Sequence, residues 1–545
     1  MYTFSQGKRN EWLRETNEAT YDVVVIGGGI TGVGIALDAV TRGMDVFLLD
    51  MQDFAGGTSS RSTKLVHGGL RYLKQLEVKM VADVGHEREI VFRNALHVTR
   101  PERMLLPIYK GGTFGKYSTG LGLSVYDALA RVKRSERRTM LSKEETLEKE
   151  PLLARDGLVG GGRYVEYRTD DARLTIEVAK RAVQEGARLV NYVKATGFTY
   201  DEDGRVNGVE AVDEWTGEAY TVNGRKVVNA TGPWVETLVD EDAPIQGKQL
   251  FHSKGVHIVV DSRTFPLRQA VYFDTPDGRM VFAIPRGGKT YVGTTDTEYE
   301  GDLVHPEATD EDRAYLLEAI HGMFPDVHVT EAEIESSWAG VRPLIREEGK
   351  DPSEISRKDE IWESSTGLLT IAGGKLTGYR LMAEEIVDVL AKQLKKEGRR
   401  FKRCQTEHLR LSGGDFASVA AYDEYVKTKA KDFVAAGLTY DEGEAIVSVY
   451  GTNAPTLLRM AYDYDPSSPL PQALETILRY SIDHESVITA VDFFVRRTGA
   501  MFFDKSWVIK WREPVLERMA ALLKWSENRV AIERRALEEE IDRTR

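Results

Sequence analysis

Gly27-x-Gly29-x-x-Gly32 follows a β-branched run, Asp22–Ile26, and Asp50 closes a second apolar run, Met44–Leu49, about 20 residues further on. Residue types at this spacing suit a dinucleotide. Gly27 permits the tight turn out of the strand, Gly29 lets the backbone approach a pyrophosphate, and Gly32 lets the next helix pack closely on the strand. Gly28 and Thr31 complete the turn. A helix over Ile30–Arg42 would present free N–H groups to phosphate, and the Asp50 carboxylate can accept hydrogen bonds from a ribose. The stretch after Asp50, QDFAGGTSSRSTKLVHGGLRYLKQLE, is dense in Gly, Ser, Thr, His, Lys and Arg. It reads as a loop, and loops carried on a nucleotide fold are where function concentrates.

Around these residues the chain reads as α/β, α+β overall. Residues 1–20 form a polar lead-in with a short surface helix, and Glu77–Asn94 a long helix. Pro101–Tyr109 looks like a strand, Leu121–Val132 like a helix, and Ser142-x-x-Glu145 opens another helix with a capping box. Ala172–Gly186 is helical and Arg188–Val193 a strand. From Ala195 to Val222 three short strands are separated by the hairpin signals Asp203-Gly204 and Thr216-Gly217. Lys226–Ala230 then reads as a separate buried strand entering Thr231-Gly232-Pro233-Trp234. FAD-binding Rossmann variants place such a meander after their second half and NAD folds usually lack it, so the expected cofactor is FAD.

Residues 250–300 are rich in strands of a mostly antiparallel sheet. Thr309–Met323 is a helix; Leu368–Ala372 is a strand ending at Gly373-Gly374-Lys375, with a helix over 377–395. From Cys404 the pattern is helical, broken at Pro466–Pro471. The expected architecture is an FAD-binding Rossmann-type domain (20–95, 155–245 and 355–400), an antiparallel-sheet substrate domain (96–154 and 246–354) and a C-terminal helical cap (401–545).

Composition narrows the class. Of 545 residues, 41% are apolar and 29% charged, as in an ordinary globular chain with a large core. The net charge of −13 argues against a nucleic-acid binder. Cys404 is the only cysteine, which excludes internal disulfides, Cys-ligated iron–sulfur clusters and CxxC redox chemistry. The N-terminal residues lack a signal-peptide core and no run of 18 apolar residues occurs, so the expected location is cytoplasmic. Two basic runs, Arg131–Arg138 and Lys395–Arg403, and the aromatic stretch Ala500–Trp511 suggest peripheral contact with an anionic lipid surface. The competing reading makes the basic runs solvated and the aromatic stretch part of the cap core.

Six segments now stand in one order: SSRSTKLVHGGLRYL (Ser59–Leu73), NATGPW (Asn229–Trp234), KGVHIVV (Lys254–Val260), VGTTD (Val292–Asp296), AGVRPL (Ala339–Leu344) and GGKLTGYR (Gly373–Arg380). As a set they resemble the FAD-dependent, respiratory glycerol-3-phosphate dehydrogenases, over about residues 20–400 by motif and into the helical region through Ser481–Thr498. The resemblance implies oxidation of sn-glycerol 3-phosphate to dihydroxyacetone phosphate, with hydride passing from C2 to flavin N5 and electrons leaving to a membrane quinone. The lone cysteine and the lack of a mid-chain insert favour the quinone-linked branch over its anaerobic and oxidase relatives. The sequence leaves the assembly open, a homodimer included.

That chemistry asks for cations around a phosphate, a base for the hydroxyl proton, and placement against the flavin. Arg71 and Arg342 match the family's substrate-contacting arginines, and a guanidinium grips phosphate through paired hydrogen bonds. His257 is the first choice as base, on its ordinary pKa near neutrality. Lys375 is the alternative, or else stabilises negative charge on the substrate oxygen or the flavin. Tyr72 is expected to border the substrate. Thr58, Ser59, Ser62, Lys64 and His67, with Gly232, Gly374 and Thr377, are expected to line the FAD. Competing readings are an amine or amino-acid oxidase of the same fold and a flavin-bearing regulatory or tRNA-binding protein.

Overall fold

The computed structural model describes residues 3–67, 78–112, 137–242, 248–347, 360–373 and 375–545. Two sheets organise it. The first is built on Tyr21–Ile26, whose six residues are all buried. Val46–Leu49 and Ala219–Asn229 flank it in parallel, Arg188–Val190 and Leu369–Ala372 extend it in parallel, and Glu360–Glu363 closes one edge antiparallel. A parallel sheet needs helices on its faces, which is why its strands read as unbroken apolar runs. Ile30–Thr41 packs between Asp171–Gln184 and Tyr379–Lys396 to supply that cover.

Val193–Tyr200, Val206–Asp213 and Ala219–Asn229 form the expected meander. Lys226–Ala230, however, is not a separate strand. Residues 219–223 of Ala219–Asn229 pair antiparallel with the meander, and 224–229 pair parallel with Tyr21–Ile26. One strand serves both layers, so no turn signal separates them.

The second sheet centres on the long antiparallel pair Lys248–Asp261 and Ile334–Glu347. Lys289–Gly293, Met280–Arg286 and Ala270–Asp274 follow antiparallel, and Thr99–Tyr109 joins in parallel. Leu158–Thr169 pairs with Thr99–Tyr109 and carries Leu65–Val66 on its far side. The range 155–245 expected for the FAD domain is thus corrected at its start: Leu158–Thr169 belongs to the second sheet. Its partner of matching length lies some 60 residues back, a pairing that local patterning does not encode.

The cap runs from Val419–Ala435 through Glu527–Arg543 and has the expected break between Ala454–Tyr462 and Gln472–His484. The aromatic stretch Ala500–Trp511 turns inward in part: Met501, Phe502 and Val508 are buried, and Phe502 and Phe503 pack on Trp338 of the second sheet, while Ile509 is exposed. Gln6–Glu15 is also more than a surface helix, since its buried Arg9 pairs with Asp213 at 2.7 Å. Leu121–Val132 and most of Arg131–Arg138 lie outside the described residues. No helix among the described residues is long and apolar enough to cross a membrane.

Candidate active site

The two sheets face each other across a cavity of 520 Å³. Its nucleotide side is built by Tyr21–Ile26 and the Ile30–Thr41 helix that follows it. Gly27 has φ of 111°, and a Cβ on Gly32 would come within 1.8 Å of the Gly27 carbonyl oxygen, so only glycine lets the Ile30–Thr41 helix start where it does. Gly29 is the N-cap and makes no side-chain capping bond; Gly27, Gly29 and Thr31 line the cavity, while Gly28 and Gly32 shape the turn behind it. Asp50 accepts hydrogen bonds from the Gly28 and Gln52 N–H groups and also lines the cavity. Burial raises its carboxyl to about 6, against the lowering effect of those two N–H donors.

The loop 57–67 forms the next wall. Thr58 donates to the Val341 carbonyl, and Ser59 Oγ accepts from the Ile30 N–H at the helix start. Thr58, Ser59, Ser62 and His67 line the cavity; Lys64 does not. Lys64 Nζ instead pairs with buried Asp171 at 2.6 Å and donates to the Ser60 carbonyl at 2.9 Å. The residue expected on the cofactor is therefore a brace beneath the loop, holding a charge that would be costly to bury alone. Gly232 and Thr377 line the cavity, and Thr377 exchanges hydrogen bonds with the His67 backbone. Arg71, Tyr72 and Gly374 lie outside the described residues.

The second sheet supplies cations and aromatic rings. Arg342 lies on Ile334–Glu347; its Nη2 donates to Thr294 Oγ1 at 3.2 Å and its Nη1 stands 3.8 Å from Asp296. Lys375 enters from the loop after Leu369–Ala372. His67 shares this region: burial lowers its pKa, Glu166 opposes the shift, and Lys375, Arg88 and Arg342 reinforce it. His257 stands elsewhere. It is 1% exposed, does not line the cavity, and is stacked on Trp338 behind Thr63. Burial, then Arg342 and Lys64, push its pKa well below the ordinary value. The imidazole expected to meet the substrate is thus walled in.

Several lining residues escaped the sequence reading. Thr63 sits between two residues that were singled out, and Thr294 and Asp296 lie within the VGTTD segment, to which no role was attached. Tyr164 and Glu166 were missed with the sheet membership of Leu158–Thr169.

A helix N-terminus whose glycine cap has no side chain, a ribose-side carboxylate and a hydroxyl-rich loop around one cavity suit a dinucleotide. Residues 22–380 match the family described as FAD dependent oxidoreductase, and residues 404–530 match the C-terminal domain of alpha-glycerophosphate oxidase. An aerobic glycerol-3-phosphate dehydrogenase of Staphylococcus haemolyticus is 57% identical over 511 residues, covering 93% of this chain and 92% of that protein. The chain belongs to the aerobic glycerol-3-phosphate dehydrogenase family of FAD-dependent oxidoreductases. A Bacillus subtilis member is 56% identical over 530 residues, 96% of this chain and 95% of its own length. The structure of the glycerol-3-phosphate dehydrogenase from Bacillus halodurans complexed with FAD superposes with a TM-score of 0.86 at 46% identity, covering 99% of this chain and 98% of that one. The α/β fold, the FAD cofactor and the dehydrogenase activity expected from the sequence agree with this membership.

Proposed function

We propose that this chain oxidises sn-glycerol 3-phosphate at C2 to dihydroxyacetone phosphate and passes the electrons to a membrane quinone. The observation that carries the site assignment is the convergence of Arg342, Lys375 and His67 on one side of the cavity. Bound FAD supplies the hydride acceptor at flavin N5. Gly27, Gly29, Thr31, Asp50, Thr58, Ser59, Ser62, Gly232 and Thr377, which line the cavity, would hold it.

Arg342 holds the phosphate, joined by Arg71 on the family pattern, with Tyr72 beside the substrate. His67, kept unprotonated by burial and cationic neighbours, takes the hydroxyl proton. It replaces His257 in that role because it reaches the cavity. The Lys375 ammonium stabilises negative charge as it develops on the substrate oxygen. The aromatic wall of Tyr272 and Phe282, stacked at 4.1 Å, helps keep water out.

Peripheral attachment to the cytoplasmic membrane face is supported by Lys395–Arg403, where Lys395, Lys396, Arg400, Lys402 and Arg403 are exposed. Cosedimentation with anionic vesicles that fades as salt rises tests this; no binding at low salt removes it. The reaction is tested by anaerobic titration of the holoenzyme with sn-glycerol 3-phosphate. Bleaching of the flavin by this substrate and not by glycerol is expected. A flavin bleached only by glycine or sarcosine would return the protein to the amine oxidases.

A further inference from the structure

Thr63 lines the cavity and stands in front of His257, with Oγ1 and Nε2 3.0 Å apart. The imidazole behind it is fixed on several sides. Its ring lies parallel to Trp338, centroids 4.8 Å apart and planes 9° from coincidence. Gly293 closes another side, where a Cβ would come within 2.2 Å of the ring. The backbone in front is clamped as well. The Ser62 N–H donates to Asp171 at 2.9 Å, Trp338 Nε1 donates to the Ser62 carbonyl at 3.2 Å, and the Tyr291 hydroxyl donates to the Thr63 carbonyl at 3.1 Å. The imidazole and the backbone that carries Thr63 are thus both held in place.

Nδ1 of His257 is buried and meets no hydrogen-bond partner among the described residues. A neutral imidazole carries one N–H and one lone pair. Leaving an N–H buried without an acceptor is rarer in proteins than leaving an acceptor unused. The proton therefore belongs on Nε2, where it is donated to Thr63 Oγ1. That bond occupies the hydroxyl as an acceptor and leaves its own hydrogen to point elsewhere. Among the described residues the hydroxyl has no second partner, and the space before it is the cavity.

We infer that Thr63 is a hydrogen-bond donor to the phosphorylated substrate, set in that role by His257 as a positioning residue. The donated bond goes to a substrate oxygen on the Arg342 side of the cavity. This rests on the substrate reading above and adds to it a contact that no charge pattern in the sequence signals. It also gives His257 a use that needs no proton uptake, which Arg342 and Lys64 oppose.

The test compares Thr63→Val, Thr63→Ser, His257→Leu and His257→Gln as holoenzymes, by steady-state kinetics, FAD content and flavin midpoint potential. Thr63→Val, nearly isosteric, is expected to raise KM for sn-glycerol 3-phosphate about 5–30-fold, the effect of one lost hydrogen bond. FAD content and midpoint potential should not change, and Thr63→Ser should stay within about threefold of the parent. His257→Leu should mimic Thr63→Val, and His257→Gln, which keeps an N–H, should recover most of the loss. An unchanged KM in Thr63→Val overturns the inference. So does a shifted midpoint potential at constant KM, which would place the hydroxyl on the cofactor. Loss of the acid limb of the pH profile in His257→Gln would overturn it too, making His257 a titrating base. Failure of the parent flavin to bleach with this substrate is a different result, and it removes the substrate reading itself.

Discussion

A Cβ on Gly255 would lie 2.4 Å from Nη2 of Arg342 and 2.5 Å from Oγ1 of Thr294. Gly255 lies in the central strand pair, and its missing side chain leaves the room that the guanidinium occupies. Gly255→Ala should displace Arg342 and raise KM for sn-glycerol 3-phosphate by about tenfold or more, the scale of a charge-assisted bond. Arg342→Ala should raise it further, with FAD content unaltered in both. Steady-state kinetics on flavin-replete protein decides, and an unchanged KM in Arg342→Ala sinks the phosphate assignment.

His67→Gln is expected to slow flavin reduction by about 10²–10⁴, the usual contribution of a general base. Stopped-flow bleaching with substrate in excess measures it. Because burial and cations hold the His67 pKa below its ordinary value, the acid limb of kcat/KM should fall below that value and vanish in the variant. A near-parental rate in His67→Gln would hand the proton to Lys375.

The nucleotide half of the site was legible because its rules are local. Gly27, Gly29, Gly32 and Asp50 act through turn geometry and helix ends, which spacing alone encodes. The same holds for the capping box at Ser142. The substrate half depends on partners far apart in the chain. Lys64 turned from ligand to brace because of Asp171, 107 positions away. His257 was misplaced because alternation along Lys248–Asp261 says which side chains share a face, and not what covers that face. Trp338 and Thr63 cover it.

Asp50 gives cofactor binding a pH dependence. A ribose hydroxyl donates best to a carboxylate, and burial holds Asp50 at about 6 in the protein without ligand. As pH falls through that value the group takes up a proton, and FAD affinity should fall. Apoprotein titrated with FAD should bind about tenfold more weakly at pH 5 than at pH 7.5, on one proton taken up per site. Asp50→Asn should bind weakly at both and lose the dependence. Equal affinity of the parent at the two pH values would show that Asp50 does not meet the ribose.

Glu533 should make the cap less stable in alkali. It is buried on Glu527–Arg543, with Oε1 2.6 Å from Arg529. Burial raises its carboxyl to about 7; Arg529 lowers it and the nearby charge of Asp492 raises it. The folded state therefore prefers the protonated acid more than the unfolded chain does. Its contribution is fully favourable below the unfolded pKa of about 4.5 and is lost as pH rises through about 7. Above that, the ionised group costs on the order of 1–3 kcal/mol. Glu533→Gln keeps an oxygen for Arg529 and removes the charge. Its Tm should match or fall below the parent's at pH 5 and exceed it at pH 8. A lower Tm at both would mean that the Arg529 ion pair outweighs the burial of the charge.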